Sequence, residues 1–208
     1  YFHIDEVLRP IFYNIHKVNH VKNKTITILS TLSAVAYKGI DVILKSANIL
    51  KENSDISFVW KVIGVEENSV LVKFFESKIN ISHKENNIVF IGKKSSNEIS
   101  ELILSADLYV HTSYIDNSPN SVCEAQIMGL PIIACNVGGV SSIVEHNKTG
   151  VLVPSNGTHE IAYTIKDYND NPESYFVLAN NGRIVAVKRH NIKSIKNKLL
   201  NTYKSLNR

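Results

Sequence analysis

The chain is poor in the residues that staple or punctuate small proteins: 208 residues carry two cysteines, five prolines, nine glycines, one methionine and one tryptophan. Two thiols, Cys123 and Cys135, are too few for a disulfide framework, and both sit in apolar runs, as buried thiols of a reducing compartment do. Glycine without a period excludes a collagen-like chain, and 44% hydrophobic against 20% charged residues excludes a disordered one. No run of 18 apolar residues occurs, and the N-terminus lacks a charged-then-apolar leader, so the expectation is a soluble, cytoplasmic segment. At about 100–200 residues per domain the length allows one large or two small domains, with roughly 70% of the unfolded surface buried. The only methionine is Met128 while the first residue is Tyr1, which leads us to expect a piece processed or cut from a longer chain at a domain boundary.

Net charge is +4, but the excess is local. Nine basic and three acidic residues lie between Lys166 and Arg208, whereas Glu101 to Ile165 holds six acidic residues and only Lys148 as a base. A solvated helix face accounts for such a tail, and an anionic membrane surface or an acidic partner domain also suits it. Nucleic acid is not expected, because the tail lacks interleaved aromatics and arginine is scarce.

Apolar, β-branched runs alternate with helical patterns. Thr25–Thr31, Phe58–Ile63, Ile88–Ile91, Leu108–His111, Ile132–Cys135 and Val151–Val153 read as strands buried on both faces, since none shows strict polar alternation. Helices are expected over Lys38–Asn53, Glu66–Ile81, Asn97–Ser105, Pro119–Met128 and Val140–Val144. This spacing predicts an α/β, Rossmann-like, doubly wound parallel sheet of about six strands with helices on both faces. After Pro154 only helices follow, near Thr158–Tyr168, Glu173–Lys188 and Ile192–Leu206. The last presents Ile192, Ile195, Leu199, Tyr203 and Leu206 as one narrow apolar stripe, with lysines on its other faces. Residues 1–24 read as a lead-in segment, 25–190 as the domain and 191–208 as a terminal amphipathic helix.

In an open parallel sheet ligands bind beyond the carboxyl ends of the strands. The loop after His111 is the most punctuated of these: Ser118 suits a helix N-cap, Pro119 the first helical position, and Gly129 a left-handed C-terminal stop before Pro131. This reading leaves the backbone N–H groups of Asn120, Ser121 and Val122 free at a positive helix end that favours phosphate. Asp116 and Glu124 bracket that end. His111 itself reads as a packed, hydrogen-bonded strand-end histidine, and the other histidines show no metal-ligand spacing.

These residues carry a resemblance. Ser105-Ala-Asp-Leu-Tyr-Val110, Asp116-Asn-Ser-Pro-Asn-Ser-Val-Cys-Glu-Ala125, Gly129-Leu-Pro-Ile-Ile-Ala134, Gly138-Gly139 and Lys148-Thr-Gly-Val-Leu-Val-Pro154, in that order, resemble the C-terminal, donor-binding domain of retaining family 4 glycosyltransferases. Those enzymes have the GT-B architecture, two Rossmann-like domains facing across a cleft. The resemblance implies retaining transfer of a sugar from a nucleotide-diphosphate sugar to a hydroxyl, in bacterial polysaccharide or glycoconjugate synthesis. Asp116 would lie by the transferred sugar, where the family has glutamate, and Glu124 would hold the ribose. Lys38, in Lys38-Gly-Ile-Asp-Val-Ile43, would meet the diphosphate. Gly92 would pass the base, and Asn117, Asn120, Gly138 and Gly139 would border the sugar and diphosphate.

The family's upstream arginine is replaced by Leu32 and Ser33, and its glutamate three residues after the glycine pair by Ser142. No metal and no cofactor is expected, the nucleotide sugar being a substrate. The implied partner is an N-terminal acceptor domain of the same protein. Two other readings stay open at this point, a nucleotide-sugar 2-epimerase and a non-catalytic nucleotide-binding module.

Overall fold

A computed structural model describes Phe12 and residues 23–206. Six strands form one parallel sheet: β1 (Ile26–Thr31), β2 (Phe58–Ile63), β3 (Ile88–Phe90), β4 (Leu108–His111), β5 (Ile132–Cys135) and β6 (Val151–Val153). Their order across the sheet is β3-β2-β1-β4-β5-β6. The winding therefore reverses between β1 and β4, whose registers align Ile28 with Leu108 and Leu29 with Tyr109. A crevice opens at such a reversal, because the connections leaving the two adjacent strands run to opposite faces.

Seven helices complete the described fold: α1 (Ile40–Glu52), α2 (Val70–Ile79), α3 (Ser96–Ser105), α4 (Asn120–Ile127), α5 (Thr158–Asp170), α6 (Pro172–Arg189) and α7 (Ile192–Leu206). α5 packs on α1, and α6 on α4. The sheet's centre is held by polarity as well as by apolar area. Trp60, fully buried in β2, donates its Nε1–H to Ser30 Oγ at 3.0 Å, and the Ser30 O–H donates to Val110 O at 2.6 Å. One hydroxyl thus ties three adjacent strands while satisfying the indole, as a buried N–H requires.

The expected strands stand, β1 starting one residue late, at Ile26, and β3 ending one residue early, at Phe90. Five helix starts differ, those of α4 and α6 by one residue. The segment expected to run unbroken from Lys38 is a 3-10 turn at Ala36–Lys38 followed by α1, with Gly39 at φ +80° between them. A left-handed residue interrupts the helical hydrogen-bond ladder, and glycine takes that conformation without a Cβ penalty. α2 begins not at Glu66 but after Ser69, whose hydroxyl accepts the Val72 N–H; Glu66 instead bridges to Ile91. α3 starts from a capping box between Ser95 and Glu98, one residue earlier than expected. The segment Val140–Val144 is only a 3-10 turn, Val140–Ser142.

The lead-in segment lies outside the described residues apart from Phe12, Asn23 and Lys24. Phe12 is buried in the hydrophobic core. The terminal helix α7 has no buried residue, and Ile192, Leu200, Tyr203 and Leu206 stand exposed along it. No helix among the described residues is long and apolar enough to cross a membrane.

Candidate functional site

Two loops leave the sheet where the winding reverses, one after β1 and one after β4, and they are clamped together. The Tyr114 N–H donates to Tyr37 O at 2.8 Å, and the Thr112 hydroxyl to Lys38 O at 3.1 Å. A Cβ on Gly39 would stand 2.1 Å from Thr112 O, so the approach itself demands glycine. Tyr114 adds a further tie: its hydroxyl donates to Asp41 Oδ2 at 2.7 Å, anchoring the β4 loop to the first turn of α1. Burial, then the Asp41 carboxylate, pushes that hydroxyl's pKa upward.

This clamp sets Lys38 against Asp116. Lys38 Nζ lies 2.6 Å from Asp116 Oδ2, and His111 Nε2 lies 3.2 Å from the same oxygen. His111 is almost fully buried, at 2% exposure, while Asp116 and Lys38 keep 12% and 22%. Burial, the largest single influence, pushes the Asp116 carboxyl upward, but the His111 and Lys38 contacts together outweigh it and hold the group below its ordinary value. Asp116 is thus an ionised carboxylate facing a lysine ammonium at the switch point.

The glycine pair serves the same loop. A Cβ on Gly138 would lie 2.2 Å from Asp116 O, and one on Gly139 1.9 Å from Asn117 O. The Gly139 N–H donates to Asp116 O at 3.1 Å. The close approach expected of Gly138 and Gly139 is therefore made to the chain's own Asp116–Asn117 backbone. Ser142, standing where the resembling family has glutamate, turns its hydroxyl back onto Gly139 O at 2.6 Å.

The start of α4 differs from expectation in one respect. Pro119, with φ −70° and ψ 104°, is the capping residue, so Ser118 lies outside and makes no cap bond. Pro119 O accepts from both Val122 and Cys123, at 3.1 and 3.2 Å. Val122 is therefore not a free donor, and among the described residues the amides left without a backbone acceptor at this end are those of Asn120 and Ser121. The expected stop holds: Gly129 is left-handed at φ +79°, and the Leu130 N–H reaches back to Ala125 O.

Glu124, half-buried on α4, acts on the Tyr109 hydroxyl. Burial pushes that hydroxyl up to about 12, Ser121 and Thr31 draw it back, and Glu124 adds to the push. These neighbours surround a hydroxyl that closes no hydrogen bond of normal geometry. Glu124 and Ser121 therefore border the same end of β1 and β4 as Lys38 and Asp116. Asn117 and Asn120 are exposed, and Asn120 lines a cavity of about 200 Å³ with Ser142 and Arg189.

Gly92 is buried at φ +67° with its backbone already committed: its N–H donates to Val65 O at 3.1 Å and its carbonyl accepts from Gly64 at 2.7 Å. Any part it plays is as a turn that shapes the wall. Leu32, at the place of the family's upstream arginine, is buried, and its N–H donates to Ile63 O. His111 is the packed strand-end histidine the sequence suggests, and its hydrogen-bond partner is Asp116; the signal for that pairing is its place at a strand's carboxyl end, five residues before Asp116.

An open, Rossmann-like parallel sheet carries a cation and a carboxylate that converge at its switch point, beside a helix start. The chain belongs to the glycosyl transferases group 1 family, whose family model matches residues 12–185. It is 31% identical over 173 residues to an uncharacterized glycosyltransferase of Haemophilus influenzae, covering 82% of this chain and 46% of that protein. It is 24% identical over 161 residues to the amylovoran biosynthesis glycosyltransferase AmsK of Erwinia amylovora, covering 74% and 38%. Among solved structures, Anabaena HepE in complex with UDP and glucose superposes with a TM-score of 0.74 at 22% identity, over 88% of this chain and 49% of that one. The chain spans less than half the length of the curated relatives it matches.

Proposed function

We propose that this chain is the donor-binding half of a retaining, family 4-type glycosyltransferase that takes a sugar from a nucleotide-diphosphate sugar and passes it to a hydroxyl acceptor. The observation that carries this reading is the meeting of Lys38 and Asp116 at 2.6 Å where the sheet's winding reverses. A ligand entering that crevice finds a cation for its diphosphate and a fixed carboxylate for its sugar within one ion pair's reach.

The chemistry follows from charge. The bond between the sugar's anomeric carbon and the diphosphate oxygen breaks through an oxocarbenium-like state, and negative charge gathers on the departing diphosphate. Lys38 and the Asn120 and Ser121 amides at the start of α4 stabilise that charge. Asp116 lies by the sugar, where an ionised carboxylate favours the developing positive ring. Glu124 holds the nucleotide ribose by accepting from its hydroxyls. Gly92 shapes the wall past which the base lies, Asn117 borders the sugar, and Gly138 and Gly139 keep the Asp116 loop in place.

The reading assigns no metal and no cofactor. Acceptor binding belongs to an N-terminal domain of the same protein, and the chain alone is expected to be nearly inactive. The basic face of α7 suits peripheral contact with an anionic membrane on the cytoplasmic side. The AmsK relative supports a place in bacterial polysaccharide synthesis, and the HepE complex supports a nucleotide donor.

The test is transfer by the complete protein with a panel of nucleotide sugars, the anomeric configuration of the product being read by NMR. Product with the donor's configuration supports the reading. Inverted product removes the retaining assignment, and an epimerised sugar formed without acceptor replaces it with an epimerase.

A further inference from the structure

Asp116 Oδ2 takes both of the carboxylate's contacts, from Lys38 at 2.6 Å and His111 at 3.2 Å, and among the described residues Oδ1 has no hydrogen bond. The two donors differ in kind. Lys38 sits on a flexible stem at the crevice surface. His111 is locked in β4, with its Cα paired to Ala134 of β5 and 2% of its side chain exposed. A carboxylate oxygen only accepts, so the ring's Nε2 must donate; an Nε2–H tautomer then leaves Nδ1 as a bare lone pair. This matches Nδ1, which is buried without a hydrogen-bond partner.

We propose that His111 is a positioning residue of the donor site: its Nε2–H holds Asp116 Oδ2 so that Oδ1 is presented to the sugar, and it keeps that hold when Lys38 moves onto the donor diphosphate. The inference rests on the donor-site reading and deepens it. In the donor-free protein Lys38 and His111 share the carboxylate. A bound diphosphate competes for the Lys38 ammonium and wins through its greater charge. His111 has no such alternative, because the strand leaves its ring nowhere to go. The carboxylate therefore keeps its orientation and its charge at the moment the sugar needs them. The ionisable groups that act on Asp116 are these two, Lys38 from the 3-10 turn and His111 from β4.

The test compares His111→Gln with His111→Asn in the complete protein. The glutamine amide nitrogen takes the place of Nε2, whereas that of asparagine falls at the place of Nδ1, short of Asp116. Both are small and polar, and each variant's melting curve is recorded. His111→Asn is expected to lower kcat by ~10-fold or more, with the donor KM changed less than ~3-fold, because a bond to a charged group is lost without loss of donor contact. His111→Gln is expected to stay within ~3-fold of the wild type. In donor-free protein labelled with carbon-13 at aspartate, the Asp116 carboxyl is expected to titrate at higher pH in His111→Asn and near the wild-type value in His111→Gln.

Equal losses in the two variants, or an Asp116 titration that neither moves, would overturn the assignment. If the wild type binds and transfers while His111→Asn does so equally well, only the His111 proposal falls. If the wild type binds no nucleotide sugar, the donor reading falls first and this role with it.

Discussion

Lys38 and Asp116, 78 positions apart in the chain, meet at 2.6 Å although neither stands on a strand or an α-helix. The contact is enforced by backbone: Gly39 against Thr112 O on one side, and Gly138 and Gly139 against the Asp116–Asn117 carbonyls on the other. Gly39 removes the side chain that would stand between loops from opposite halves of the sheet, and Gly138 and Gly139 do the same between the neighbouring loops after β4 and β5.

The Lys38 ammonium is expected to be shared between states, on Asp116 without donor and on diphosphate with it. A charge-assisted bond contributes about 1.5–3 kcal/mol, so Lys38→Ala is expected to weaken nucleotide-diphosphate sugar binding about 10- to 100-fold. Binding of the nucleoside alone should barely change. Calorimetric titration with nucleoside, nucleoside diphosphate and nucleotide sugar separates these cases.

Gly39→Ala tests the clamp. Its φ of +80° and the 2.1 Å approach to Thr112 O both oppose a Cβ. The left-handed penalty and the overpacking together are expected to cost about 2–5 kcal/mol. At about 2–4 °C per kcal/mol for a domain of this size, the melting temperature should fall by about 4–20 °C. Gly139 has an ordinary φ of −90°, so Gly139→Ala carries only the clash with Asn117 O. It is expected to disturb the Asp116 loop, and donor turnover, more than it lowers the melting temperature. Differential scanning calorimetry beside a turnover assay checks both.

Asp116 also makes the protein's stability depend on pH with a definite sign. Its carboxyl is held below the ordinary value of 3.8 in the folded protein, by His111 and Lys38 against the opposing effect of burial. The contribution is therefore complete above about pH 4 and is lost as pH falls through the folded-state value. Asp116→Asn should flatten that part of the acid limb. Urea unfolding at a series of pH values measures it.

Much of this was legible in the sequence. Phe58–Ile63, Leu108–His111, Ile132–Cys135 and Val151–Val153 carry the same boundaries in both readings, because they are largely continuous apolar runs whose ends are set by polar residues, glycine or proline. The motif around Asp116 and Glu124 stood out for its turn chemistry. What escaped was whatever depends on approach between distant segments. Nothing local distinguishes Gly39 as a break from Gly39 as a tolerated helical glycine until Thr112 is seen against it. Pro119 displaces Ser118 as the cap because its own carbonyl, not a side chain, begins the helix. His111 looked like a packed strand-end residue, and it is one; its packing is what aims it at Asp116.

The central claim is that this crevice holds a nucleotide-diphosphate sugar, and titration calorimetry on the complete protein tests it most directly. UDP, GDP and ADP and their glucose or mannose derivatives would be run against the wild type, Glu124→Ala and Asp116→Ala. One nucleotide series is expected to bind the wild type, to be lost in Glu124→Ala, where the ribose contact is removed, and to be largely kept by Asp116→Ala. A wild-type protein that binds none of the series, or binding untouched by Glu124→Ala, would contradict it.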